Sequence, residues 1–209
     1  MMKLILSLTL IWTLSSTAEA LKCWQGLMGM DELRPCASTT EWCVTVASQV
    51  TVNGNLHQFT TKSCVPLSPN IEGKHTFSLN LGFLSASVCN TDGCNSEDKP
   101  YPNDLKKNNL QCFTCEDSSS AECKKKTVQC VGDEDRCISG TAESMGVKGH
   151  TFGCVSGDLC EDLYDLQFLP GGNFTQPPKC CKGSFCNSSW SVKLNVMTLL
   201  FGLIALICY

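Results

Sequence analysis

The sequence predicts an all-β, disulfide-rich chain of two small tandem modules. Seventeen cysteines in 209 residues are far more than an intracellular chain carries. Sixteen of them, from Cys23 to Cys186, fall into two copies with matching spacings. Between them apolar residues alternate with polar ones, and no stretch of the mature modules shows a helical period.

The first of these observations depends on export. Residues 1–20 run from a basic Lys3 through an apolar stretch, Leu4 to Leu14, to the small-residue close Ser16-Thr17-Ala18-Glu19-Ala20. That is the layout of a secretory signal peptide, and it predicts a mature chain beginning at Leu21. Export delivers the cysteines to an oxidising compartment, where paired thiols persist. Cys208 lies in the apolar tail, which leaves an even sixteen, as complete pairing requires.

The repeat is written in those sixteen. Each copy opens Leu-x-Cys, as Leu21-Lys22-Cys23 and Leu110-Gln111-Cys112. Each closes Cys-x4-Cys-Asn, as Cys89 to Cys94-Asn95 and Cys181 to Cys186-Asn187. The steps Cys36 to Cys43 and Cys130 to Cys137 match, and each is followed by one more cysteine, Cys64 or Cys154. The modules are therefore residues 21–95 and 110–187, joined by a charged, proline- and asparagine-rich linker, residues 96–109. Units of this size bury too little apolar surface to fold comfortably without staples, each worth about 2–4 kcal/mol.

Strands and turns follow from the residues between the cysteines. Trp42, Val44, Val46, Val50 and Val52 alternate up to Asn53-Gly54, a type I′ turn signal, and the run Leu56 to Cys64 follows. This predicts a long hairpin. Phe77, Leu79, Leu81 and Phe83 form a second alternating run before Cys89. In the second module Ile138 to Cys154 alternates poorly, so its hairpin is placed by the repeat rather than by pattern.

Charge excludes some functions. The net charge is -4, and the longest basic run, Lys124-Lys125-Lys126, lies among acidic residues, so nucleic acid is not an expected partner. Residues 110–187 carry seven basic and eleven acidic side chains against four and five in residues 21–95, so a steered partner would be cationic and meet the second module. His57, His75 and His150 stand without a nucleophile elbow or other catalytic signature and read as exposed strand or loop residues; no catalytic residue and no small-molecule substrate is expected. Cys112-x2-Cys115 has zinc-ligand spacing, but export and even parity assign it to bridges, so no metal or cofactor is expected. The clusters Asp133-Glu134-Asp135 and Glu161-Asp162-Asp165 lack the spacing of a calcium loop and read as a solvated face.

The tail, Val196 to Tyr209, is apolar and uncharged, too short for an ordinary span of about 20 residues. Small residues, Asn187-Ser188-Ser189, and a polar stretch from Trp190 to Asn195 precede it. That order predicts a glycolipid (GPI) anchor signal over residues 188–209, removed on maturation, although the spacer is short; a short single-pass helix is the alternative.

The cysteine pattern resembles the three-finger modules of the lymphocyte-antigen-6/urokinase-receptor family, which share the fold of snake toxins. The specific motifs are Leu110-Gln111-Cys112-Phe113-Thr114-Cys115 and Cys180-Cys181-Lys182-Gly183-Ser184-Phe185-Cys186-Asn187. The resemblance covers nearly all of residues 21–187. It implies pairing of Cys112 with Cys137, Cys115 with Cys123, Cys130 with Cys154, Cys160 with Cys180, and Cys181 with Cys186. In the first module Gly26 and Val88 stand where the family has cysteines, and neither loss orphans a partner. The implied pairs there are Cys23 with Cys43, Cys36 with Cys64, and Cys89 with Cys94. The segment from residue 65 to 88 then has no bridge of its own, which predicts a looser third finger and a contact surface.

The closing bridge also locates the anchor: attachment before Cys186 would break the module, so Asn187 or Ser188 is the expected site. Asn173-Phe174-Thr175 is the expected glycosylation sequon, since anchoring would sever the one at Asn187. The resemblance implies a non-enzymatic receptor or adhesion protein that binds an extracellular or cell-surface protein and meets the membrane only through its lipid, on the outer face of the plasma membrane or in a shed form. Apolar third-finger residues are the expected contacts: Phe77, Leu79, Leu81 and Phe83 in one module, and Leu163, Tyr164, Leu166, Phe168 and Leu169 in the other. The rival reading is a soluble inhibitor of an extracellular enzyme, similar to the two-module serum inhibitors of phospholipase A2.

Overall fold

Twelve strands and two short 3₁₀ turns make up the regular structure of the described residues, which in this computed structural model are 19–188 except 53, 69–70, 81, 99–100, 102–104, 116–122, 145, 161 and 165–172. The first module contributes β1 (Lys22–Leu27), β2 (Glu32–Pro35), β3 (Glu41–Val52), β4 (Asn55–Pro66), β5 (Gly73–Leu79) and β6 (Gly82–Cys89). The second contributes β7 (Lys107–Cys115), β8 (Lys125–Val131), β9 (Glu134–Ser144), β10 (Val147–Ser156), β11 (Asn173–Phe174) and β12 (Lys179–Cys181).

The predicted long hairpin is β3 and β4, paired from Glu41 opposite Pro66 to Val52 opposite Asn55. The poorly alternating segment of the second module forms its counterpart, β9 and β10, paired from Val147 opposite Ser144 onward. Its glycines blur the pattern because they are packing sites. A Cβ on Gly140 would fall 2.8 Å from the ring of Phe174.

Gly153 has the larger consequence. There β10 of the second module pairs with β5 of the first, with Gly153 opposite Leu79, Cys154 opposite Ser78 and Val155 opposite Phe77. A Cβ on Gly153 would lie 1.9 Å from the Ser78 carbonyl oxygen, so only glycine admits this approach. The pairing fuses both modules into one sheet of order β11-β9-β10-β5-β6-β3-β4-β1-β2, with β12 also on β9. Strands β7 and β8 form a separate pair.

One apolar cluster spans the seam. Val44, Val46, Phe77 and Leu84 of the first module pack with Ile138, Val155, Leu159, Leu163 and Phe174 of the second. Phe77 and Leu163 are 0% exposed, which removes them from the set of surface contacts expected from the sequence. Leu79 is half-buried against the same cluster. The under-bridged third finger, β5 and β6, likewise differs from the loose segment expected. It lies mid-sheet, hydrogen-bonded to β3 on one side and β10 on the other. Strand pairing replaces the missing bridge.

Polar side chains close the seam. The Asn80 Oδ1 accepts from the backbone N–H of Phe152 and of Cys115, both at 3.0 Å, and from the Thr114 hydroxyl at 3.1 Å, while its Nδ2 donates to the His150 carbonyl. Ser68 donates its N–H and hydroxyl to Asp162, at 3.2 and 2.9 Å. The Ser156 hydroxyl accepts from the Thr76 N–H at 3.0 Å. Glu134 is fully buried and accepts from the Ser78 hydroxyl and the Val131 N–H, each at 2.8 Å. Two members of the acidic clusters, Glu134 and Asp162, are thus internal seam residues rather than parts of a solvated face.

Burial pushes the Glu134 carboxyl up to about 7 from an ordinary 4.5, against the opposing pull of its two hydrogen bonds. Because the folded state holds the proton more tightly, the stability this group contributes is complete below pH 4.5 and is lost as pH rises through about 7. At about 1.4 kcal/mol per unit, the full loss is about 3 kcal/mol. Denaturant unfolding should therefore show lower stability at pH 8 than at pH 4.5, and Glu134→Gln should flatten that slope.

Gly153→Ala should cost about 1–3 kcal/mol, since the added methyl meets backbone that cannot move aside. Calorimetry on the oxidised chain should show one unfolding transition for the natural protein and separated transitions for the variant.

Candidate functional site

Both modules are built on a disulfide head from which the hairpins project. The bridges are Cys23–Cys43, Cys36–Cys64 and Cys89–Cys94 in the first, and Cys112–Cys137, Cys115–Cys123, Cys130–Cys154, Cys160–Cys180 and Cys181–Cys186 in the second. Neighbouring bridges touch, with the Sγ atoms of Cys23 and Cys36 3.2 Å apart and those of Cys112 and Cys130 3.4 Å apart. The sulfurs of Cys23, Cys36 and Cys64 lie within 4.8 Å of one another, as do those of Cys112, Cys130 and Cys154. All are oxidised in bridges and offer no thiolate to a metal.

The asparagine after each closing cysteine locks the head. Asn95 accepts from the Trp24 N–H at 2.9 Å and donates to the carbonyls of Trp24 and Val44. Asn187 repeats this with the Phe113 N–H and the carbonyls of Phe113 and Ile138. Its amide, 3% exposed, is committed to the fold.

The densest exposed apolar surface among the described residues is the tip of the first finger of the first module. Leu27, Met28, Met30 and Leu33 are 44%, 63%, 79% and 48% exposed. The Met30 N–H donates to the Leu27 carbonyl at 3.2 Å, and Met28 and Gly29 between them have φ of 56° and 80°. This is a turn with two left-handed centres, where asparagine and glycine are usual. Methionine at the first costs about 1 kcal/mol and carries a large apolar side chain into solvent.

That turn sits on a fixed base. Leu27 pairs with Thr61 of β4, and the Met28 N–H donates to the Thr60 carbonyl at 2.9 Å. Lys62, 5% exposed, reaches Asp31 and Asp98, each at 2.8 Å, and the Ser96 carbonyl at 2.9 Å, tying the tip to the linker. Burial pulls its pKa down, but the hydrogen bonds and charges of the two aspartates outweigh that and raise it. Gly26, where the resemblance has a cysteine, belongs to the same arrangement: a Cβ there would stand 2.2 Å from the Met30 carbonyl oxygen. On the outer edge of β2 an exposed Glu32–Arg34 pair and Pro35 guard against strand addition.

The other expected residues scatter. Phe83 is half-buried and Tyr164 is 41% exposed; Leu81, Leu166, Phe168 and Leu169, with Glu161 and Asp165, lie outside the described residues, as do residues 1–18 and 189–209. Leu56 and Val147 are exposed at the tips of the two long hairpins. His75 is buried, contrary to the sequence reading, and its Nε2 hydrogen-bonds the Ile71 carbonyl at 2.8 Å; His57 is exposed and His150 half-buried. Asn173 is exposed on β11, with Phe174 buried behind it and the Thr175 hydroxyl donating to the Thr141 carbonyl. A cleft of about 480 Å³ beside the Cys160–Cys180 bridge is lined by Arg136, Pro177 and Pro178, with Arg136 paired to Asp135.

Sequence reasoning missed the first-finger tip. The signal was there in Leu27-Met28-Gly29-Met30, two methionines flanking a turn glycine where polar residues normally stand.

The u-PAR/Ly-6 domain family matches residues 22–97 and 108–189, one match for each module. Similar proteins include the urokinase plasminogen activator surface receptors of Bos taurus, 24% identical over 165 residues, and of Rattus norvegicus, 28% identical over 166. Each alignment takes 76% of this chain and 49% or 50% of the relative, so the chain spans about half the length of these receptors. With both modules matched and every described cysteine bridged within its own module, the chain belongs to the u-PAR/Ly-6 domain family.

Proposed function

We propose that this is a non-enzymatic cell-surface binding protein that engages an extracellular protein through the first-finger tip of its first module, and that a glycolipid holds it on the outer leaflet. The observation that carries the reading is Met28. An unfavourable backbone conformation is retained on a rigid base, and its effect is to display methionine beside Leu27, Met30 and Leu33. Flexible, polarisable methionines suit a protein contact. The relatives are surface receptors by name, which supports the class; their length beyond this chain keeps their particular ligand from being carried over.

The anchor reading rests on residues 187–209. Attachment at Asn187 or Ser188 leaves the closing bridge intact, and Asn187 can keep its buried amide, because the lipid joins through the backbone carboxyl. The same burial argues against a glycan on Asn187. Asn173 is the better acceptor, and a glycan there would cover the β11 edge of the sheet.

Two measurements test this. A phosphatidylinositol-specific phospholipase should release the protein from expressing cells; full retention counts against the lipid anchor. In a screen of the intact, oxidised protein against secreted and cell-surface proteins, the partner found should lose at least about tenfold in affinity to Met28→Asn with Met30→Ser, while thermal stability holds or rises because asparagine tolerates the turn. A partner bound equally well by the double variant would place the site elsewhere.

A further inference from the structure

Phe185 is the other non-glycine residue with a left-handed backbone among the described residues, at φ 62°. Its place in the repeat shows that the conformation is inherited and the side chain is not. In the closing loop of the first module the same position is Gly93, at φ 66°. The Gly93 N–H donates to the Lys22 carbonyl at 2.7 Å, and the Phe185 N–H donates to the Gln111 carbonyl, also at 2.7 Å. Lys22 and Gln111 are themselves matched, each preceding the first cysteine of its module. One loop geometry is thus built twice, once with the residue it favours and once with a bulky aromatic that it disfavours.

The ring does not repay this by burial in a core. It is 36% exposed, and its centroid lies 5.2 Å from that of the half-buried Phe113, over which the Lys125 ammonium sits at 5.3 Å. Lys182, Gly183 and Ser184 beside it are exposed. Phe185 is two residues before Asn187 and three before Ser188, whose N–H donates to the Phe185 carbonyl at 3.2 Å. In sequence, the ring stands eleven residues before the apolar stretch 196–209.

We infer that Phe185, flanked by Lys182 and backed by Phe113 and Lys125, is a contact with the phospholipid surface that seats the second module against the bilayer. This rests on the anchor reading above, which puts lipid within two or three residues of the ring. An aromatic ring set in the boundary between headgroups and acyl chains, with lysine stems beside it and their charges turned to water, is a stable arrangement there. On the anchor reading the attachment follows the closing loop of the second module, and the matching position in the first module is glycine. A tether alone leaves a module free to pivot; a second contact beside the tether limits its tilt.

The test uses the full chain, purified with its attachment and placed in phosphatidylcholine vesicles. A photo-crosslinking phenylalanine analogue at position 185 should form at least about tenfold more lipid adduct than the same analogue at Leu56, on a hairpin tip. In the natural protein, Lys182 should be acylated by an impermeant reagent at least about threefold more slowly on vesicles than after phospholipase release, with Lys148 unchanged. Adduct at 185 no greater than at 56, or equal Lys182 rates before and after release, overturns the lipid contact. Phospholipase release is scored separately: release without adduct sinks this inference and leaves the anchor reading intact, whereas adduct without release sinks only the glycolipid.

Discussion

The approach of Gly153 to the Ser78 carbonyl makes one sheet of two modules, and the surfaces left for function follow from it. Once β10 lies on β5, the third finger of the first module is an interior strand pair, and its apolar face packs on Ile138, Val155 and Leu163 instead of meeting solvent. Asn80 reinforces the same seam with four hydrogen bonds into the second module. Such an arrangement relates the surface features of the two modules through strand register and a shared apolar cluster, and not through the linker alone.

Among the described residues the exposed apolar groups are few and unevenly placed. The first-finger tip of the first module and the closing loop of the second each present bulky residues on left-handed backbone, Met28 and Phe185. Both are held by backbone hydrogen bonds to neighbouring segments, so the strain is imposed by the surroundings and is not relaxed by local rearrangement.

Much of the fold was legible because cysteine spacing is a sparse code with little tolerance. The two modules, the long β3–β4 hairpin and the strand character of Phe77 to Phe83 all follow from spacing and alternation. What alternation does not reveal is the identity of the covering layer. Phe77 and Leu79 show the same period whether they face a partner protein or another module of the same chain, and here they face the latter. The inward place of Glu134 is hidden for a related reason: in a run of three acids, nothing local marks the one that points inward to Ser78. Gly26 stands where the family has a cysteine, and the spacing does not reveal that the position also leaves the space that the Met30 carbonyl occupies. The first-finger tip is written in Leu27-Met28-Gly29-Met30, a turn signal that carries no strand alternation.

The pairing of Lys62 with Asp31, Asp98 and the Ser96 carbonyl has a consequence for how such a protein is taken apart. The start of the linker is bound to the first module, and the modules are held to each other by strands rather than by the linker. A protease that cut the chain between them would leave two fragments clasped along β5 and β10. Departure of the first module would then wait on the unzipping of a sheet, and its timing would be set by the strength of that seam rather than by the speed of the cut.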